Sequence, residues 1–245
     1  MRAASAVVGI LVAIVGIVGG TCGASIAAPH LVLEGGLVSS LLPFGADLFL
    51  GVGYESDEFA ASSTTTVSAL PTFAAYEQAS LSFSPRGIEI GLDLGLSVVP
   101  FGFDVANVWA SAPFIDADIG GESPVYLRAD AIGRLWLADP FGGDVSVDFE
   151  VEIPGELTTL TLLSTTSITY DAIAGLGAEE ALEASIAFDR PRFFSGHLLT
   201  EDDLTTLIVW ARVGLRVDES GLFTPGVLLG LRLRVESPLP QDVEE

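Results

Sequence analysis

The chain carries 33 acidic side chains against ten basic ones in 245 residues, all ten of them arginine, for a formal net charge of −23. A field of that sign repels phosphate backbones and argues against a nucleic-acid partner. The single cysteine, Cys22, supplies neither a disulfide framework nor a thiolate metal site, yet the mean hydropathy of +0.55 is high for a soluble chain and has to be explained by how the apolar residues are arranged.

The N-terminus reads Met1-Arg2, then a small and apolar run from Ala3 to Gly20, then small residues through Ala28. A positive start, an apolar centre and a small-residue exit form a secretory signal peptide, expected over residues 1–28 with cleavage after Ala27 or Ala28. An uncleaved anchor helix is the alternative, since the run approaches bilayer length. A lipoprotein signal is a poor match, because Gly19 and Thr21 stand where a Leu-like residue and a Gly or Ala would precede Cys22. No Pro/Ser linker or charge block divides the remainder, so residues 29–237 read as one domain and residues 238–245 as an acidic, disordered tail.

Within that domain the dominant signal is alternation with period two, which sends successive side chains of a strand to opposite faces. In GIEIGLDLGLSV, Ile88, Ile90, Leu92, Leu94, Leu96 and Val98 form one row, opposite Glu89, Asp93 and the glycines. In DVSVDFEVEI, Val145, Val147, Phe149, Val151 and Ile153 oppose Asp144, Ser146, Asp148, Glu150 and Glu152. The same pattern returns over Leu207 to Asp218 and Gly226 to Glu236, where the polar rows hold Arg212, Arg216, Arg232 and Arg234. Weaker strand signals cover Leu31 to Leu42, Asp47 to Tyr54, Ala74 to Ser84, Asp104 to Ala110, Val125 to Leu137, Leu157 to Ser167 and Leu182 to Phe188. Short helical decoration is expected at Ala178 to Ala184 and Thr200 to Asp203. The total is about ten to twelve strands.

Turns punctuate the strands in a recurring form, P-F-G-x-D, at Pro43 to Asp47, Pro100 to Asp104 and Pro140 to Asp144. Proline presets φ and glycine supplies positive φ, so each site is suited to join antiparallel neighbours in a meander. Unequal spacing of the three motifs argues against a solenoid.

An alternating sheet must cover its apolar face with a second sheet or with lipid. Strands of ten to twelve residues suit a tilted membrane crossing and exceed the usual sandwich strand. The polar rows are rich in glycine, useful where side chains crowd inside a closed barrel. Their charges are sorted by strand: Glu89, Asp93, Asp148, Glu150 and Glu152 on some, Arg128, Arg134, Arg212, Arg216, Arg232 and Arg234 on others. Facing one another across a narrow lumen, these groups would satisfy each other and line the interior or a pore. Against this stands the scarcity of girdle aromatics: Trp136 and Trp210 fall on charged rows, and the last strand lacks a terminal aromatic.

On Gly87 to Val98, Asp144 to Ile153 and Leu207 to Glu236, together with the signal peptide, the chain resembles small bacterial outer-membrane β-barrel proteins. The resemblance implies an antiparallel up-and-down barrel in the outer membrane, in contact with the lipid bilayer and acting as a structural element, a narrow polar pore or a lipid-associated protein. The alternative is a secreted soluble two-sheet β-sandwich acting as a cell-surface or adhesive module.

Enzymatic chemistry finds few residues. The two histidines are His30 and His197, and there is no P-loop lysine, G-x-S-x-G elbow or H-E-x-x-H. Asp148, Glu150 and Glu152 share one strand face, which suits a hydrated or ion-paired row better than an acid and base with divergent pKa values. The chain therefore reads as a non-enzyme, with no cofactor implied. The one metal hypothesis is calcium at the acidic loop of Asp116, Asp118 and Glu122, although Leu127 occupies the place of an EF-hand's bidentate glutamate.

Overall fold

The computed structural model describes residues 29–42, 44–70, 72–84, 87–99, 101–120, 124–137, 141–189 and 204–239. Twelve strands follow one another: β1 (His30–Leu42), β2 (Phe44–Glu55), β3 (Phe59–Leu70), β4 (Ala74–Phe83), β5 (Glu89–Val99), β6 (Phe101–Ile119), β7 (Val125–Trp136), β8 (Gly142–Pro154), β9 (Thr158–Asp171), β10 (Gly175–Asp189), β11 (Leu204–Val217) and β12 (Phe223–Pro238). Each pairs antiparallel with its chain neighbours, and β1 pairs with β12 to close the barrel. Closure leaves no unpaired edge.

Two hairpins are tight, but not by the expected route: Gly45 and Gly102 lie within β2 and β6, and the positive-φ glycines among the described residues are Gly87, Gly120, Gly175 and Gly221. Leu41 pairs with Phe44 and Val98 with Phe101, so the first two P-F-G-x-D sites sit on connections with two residues between the paired positions. All three motifs lie at the same end of the barrel, opening β2, β6 and β8.

Register carries the alternation round the ring as continuous rows. Arg134, Asp144 and Thr169 are aligned on one face; Gly133, Val145 and Ile168 are aligned on the other. The apolar rows are the outer ones. Leu50 is 69% exposed, Val145 64% and Ile168 61%, as expected of side chains splayed on a convex wall. Among the described residues no large side chain is fully buried, and the buried apolar set is Val32, Ala61, Ala74, Ala129 and Ala181. A sandwich would bury its leucine and valine rows between two sheets; this barrel has no such core. Ile90, Leu94 and Val98 accordingly stand exposed on the outside of β5.

Aromatic residues on the outer face collect at the two rims. Phe44, Phe101, Tyr170 and Phe223 ring the end that carries the tight turns, and Tyr54, Phe59, Phe83 and Phe188 lie toward the other, with the Tyr54 and Phe59 rings 6.2 Å apart. The girdle that appears thin in tyrosine and tryptophan is built mostly from phenylalanine.

The structure departs from expectation at four places. β3 has no counterpart among the expected strands, because Ala, Ser and Thr occupy both of its faces and leave little alternation to read. Ala178 to Ala184, expected as a helical turn, lies within β10, where alanine and glutamate propensity is overridden by pairing on both sides. Asp116 and Asp118 belong to β6 rather than to a loop, since an irregularity between Pro113 and Ile115 lets the strand continue to Ile119. β12 runs through Pro238, paired with His30, and the Leu239 amide donates to the Pro29 carbonyl at 2.8 Å. The expected signal peptide, the Thr200 to Asp203 turn, His197, Glu122 and the last six residues lie outside the described residues.

Candidate functional site: the inner wall

Twelve strands about 4.8 Å apart and tilted by about 40° close into a ring roughly 24 Å across between opposing backbones. That is too wide for an arginine on one side to reach a carboxylate on the other. The ion pairs accordingly run along the wall. Arg128 grips Asp130 two residues further along β7 with Nε at 2.6 Å and Nη2 at 3.1 Å. Arg134 lies 3.7 Å from Asp144 on β8, and Arg212 lies 3.4 Å from Glu179 on β10. Arg234 holds Glu236 on its own strand at 2.7 Å and reaches across β1 to Glu55 at 2.6 Å. The expectation that unlike charges would meet across a narrow lumen is corrected here: the ion pairs among the described residues join residues of the same or nearby strands.

All of the sequence-derived interior candidates fall on the inner rows. Glu89 and Asp93 alternate on β5, Arg128 and Arg134 on β7, Asp148, Glu150 and Glu152 on β8, Arg212 and Arg216 on β11, and Arg232 and Arg234 on β12. The Ser80 hydroxyl donates to Asp93 at 2.5 Å. Arg232 stacks 5.8 Å above the Phe49 ring, and its Nε is buried without a hydrogen-bond partner. Three to five strands round the ring from the arginines of β11 and β12 lie β7 and β8, where carboxylates dominate. There Asp130 and Asp148 sit directly opposite each other, Glu150 opposes Arg128, and Asp116 flanks Arg128 from β6.

Inner-row residues that alternation alone did not single out include Glu34, Asp47, Glu55, Asp130, Glu179 and Glu183. Their signal was available only through register: each is in step with an inner residue of the neighbouring strand. With these, carboxylates outnumber arginines on the inner wall, an excess the sequence-derived candidates do not show. Of the calcium candidates, Asp116 and Asp118 share this wall. Among the described residues no three His, Cys, Asp or Glu side chains converge on one point that could hold a metal.

Tryptophan shapes the lumen in a way the sequence hides. Trp109, Trp136 and Trp210 all lie on inner rows, each beside a glycine on the adjacent strand: Gly91, Gly142 and Gly230. A Cβ at any of the three glycines would overlap the indole, and a Cβ at Gly36 would overlap the Phe49 ring. The rings lie down over the glycines against the wall, which accounts for glycine at these four positions.

A closed antiparallel barrel with apolar outer rows, aromatic rims and a polar inner wall is the architecture of the outer-membrane β-barrels. An apolar exterior this extensive has shelter only in lipid, which makes the chain a membrane-spanning barrel of the outer-membrane type. No family model matches the chain, and no curated protein matches its sequence. Among solved structures it is similar to an outer membrane channel from Pseudomonas putida F1, with 10% identity, TM-score 0.45, and coverage of 88% of this chain and 97% of that one. It is also similar to the KdgM porin (9% identity, TM-score 0.43, 85% and 99% covered) and to a bacterial polysaccharide outer membrane secretin (9%, 0.40, 87% and 99%).

Proposed function

We propose that the protein is a non-enzymatic outer-membrane channel that passes small polar solutes and favours cations. The observation that carries this reading is the inner wall: carboxylates outnumber arginines on it, and four of the six arginines found there are engaged by neighbouring carboxylates. The remaining acidic groups, concentrated on β6 to β8, supply a negative potential of the kind that charged side-chain rings use to select cations. Tryptophans laid flat over glycines keep the centre clear. With side chains of both walls filling the roughly 24 Å ring, an aqueous path of about 10 Å remains, enough for hydrated ions and small metabolites.

Bilayer conductance tests this reading. Purified full-length protein should give discrete steps whose reversal potential in a salt gradient lies on the cation-selective side. Neutralising Asp148, Glu150 and Glu152 together (D148N, E150Q, E152Q) should move that potential toward zero by a measurable fraction. A correctly inserted barrel without conductance would reject the channel and leave a structural role.

A further inference from the structure

Two carboxylates stand on the wrong side of the wall. Glu77 of β4 and Glu180 of β10 lie on the outer rows, in step with Leu50 and Leu96 in one case and with Leu215 in the other. Among the described residues every arginine is on an inner row, so neither carboxylate has a cationic neighbour on its own face.

Each is clasped in the same manner. The Ser63 and Thr65 hydroxyls of β3 donate to the two oxygens of Glu77. The Ser164 hydroxyl of β9 donates to Glu180 Oε1 at 3.1 Å and the Thr166 hydroxyl to Oε2. In both, the glutamate pairs directly with the threonine and diagonally with a serine two residues earlier. Thr65 lies five residues before the end of β3 and Thr166 five before the end of β9, so the clasps sit at one level. The two strand pairs are six positions apart in the ring of twelve, on opposite sides. P-F-G-x-D opens the strand preceding each pair, β2 and β8, and also opens β6, which no such clasp follows.

The clasps differ in access. Glu77 is 9% exposed and Ser63 5%. Glu180 is exposed, and Ser164 borders an apolar groove of about 460 Å³ on the outer wall. Ala184 and Ala211 line it together with Phe149, Leu162, Leu182 and Val213, and Ser164, which donates to Glu180, joins it to the carboxylate.

We propose that Glu180 and this groove form a lateral binding site, open to the membrane, for a long-chain amine. The ammonium sits against the carboxylate, and the alkyl body lies in the groove. One carboxylate and two hydroxyls offer too few oxygens for calcium, which takes six to eight. A phosphate or carboxylate head would be repelled by Glu180. Five residues of tilted strand place the clasp roughly 13 Å from the rim, beneath the level of lipid headgroups. An alkylammonium matches the charge, the hydrogen bonding and the apolar surface together. The site requires the membrane location but not a conducting pore.

The test uses the full-length barrel in neutral-lipid vesicles, with insertion verified by heat-modifiable gel migration. A spin-labelled long-chain amine is added, and its motionally restricted fraction is compared with those of the equivalent alcohol and fatty acid. The restricted amine should exceed both, fall about tenfold or more in E180Q, and remain in E77Q, where the wild-type carboxylate is buried. Ala184→Phe, which fills the groove from the lipid side and keeps the carboxylate, should also abolish it. Equal restriction of amine and alcohol, or amine binding that survives both E180Q and Ala184→Phe, would overturn the proposal. Equal loss in E77Q would overturn the assignment to the open clasp.

Discussion

The β11–β12–β1 wall and the β3–β4 wall solve the same problem with opposite means. On the first, Val209, Val213, Leu229, Leu231, Leu33 and Leu37 stand on the outer rows, and the charge is confined to Arg212, Arg216, Arg232, Arg234, Glu236 and Glu34 inside. On the second, the outer face carries Ala61, Ser63, Thr65 and Glu77, and the polar groups are satisfied by one another. The difference teaches that a lipid-facing surface tolerates polarity where donor and acceptor are supplied locally, and needs no local pairing where hydrocarbon covers every position.

The largest effect expected from breaking this contrast is on the apolar wall. Leu231→Arg places an unpaired cation against lipid and should cost about 2–4 kcal/mol, read as a lowered midpoint in reversible denaturant unfolding in vesicles. Next comes the clasp. Ser63→Ala with Thr65→Val strips the donors from Glu77 and should destabilise the barrel by about 1–3 kcal/mol. Adding Glu77→Leu should recover most of that loss, because the acceptor is then gone as well. Recovery would show that the polarity is tolerated only as a set.

On the inner side, Arg234→Ala releases both Glu55 and Glu236 into a wetted wall and should cost about 1–2 kcal/mol, less than the outer substitutions. Gly91→Val drives the Trp109 ring off the wall and should lower single-channel conductance with little change in unfolding midpoint. The smallest effect belongs to the β11–β12 turn. The Ser220 hydroxyl and the Leu222 and Ser220 amides donate to Asp218 and hold its carboxyl below the usual carboxylate range. A carboxyl whose pKa is depressed on folding stabilises above its unfolded value, near 4, and that contribution disappears as pH falls through the folded value. Asp218→Ala should therefore slightly weaken the barrel at neutral pH and make no difference in strong acid, as followed by local hydrogen exchange.

The same contrast decides what the sequence could reveal. Where lipid covers one face and charge lines the other, as in Gly87 to Val98 or Gly226 to Glu236, the period of two is written in the residue types, and both strand and face follow. β3 was invisible because Ser and Thr occur on both faces, one set inward and the other bound to Glu77. Ala178 to Ala184 of β10 carries a helical signal for a related reason: Glu179, Glu180 and Glu183 do not alternate, since Glu180 points outward to Ser164 and Thr166. Both failures fall at the outer clasps. The inner candidates were legible by row, but their pairing along the wall was not, because it depends on the ring's diameter and on neighbours such as Glu55 and Glu179 brought near by register.

Which face meets lipid is tested most directly by spin labels at six positions along β5, three from each face. With Cys22 replaced by serine, single cysteines at Glu89, Ile90, Leu92, Asp93, Leu94 and Ser97 are labelled in lipid vesicles. Relaxation by oxygen, which partitions into lipid, is then compared with relaxation by a water-soluble nickel chelate. Oxygen should dominate at 90, 92 and 94, and nickel at 89, 93 and 97. Nickel dominance at 90, 92 and 94, or no alternation at all, would contradict a lipid-facing leucine row and a wet, charged lumen.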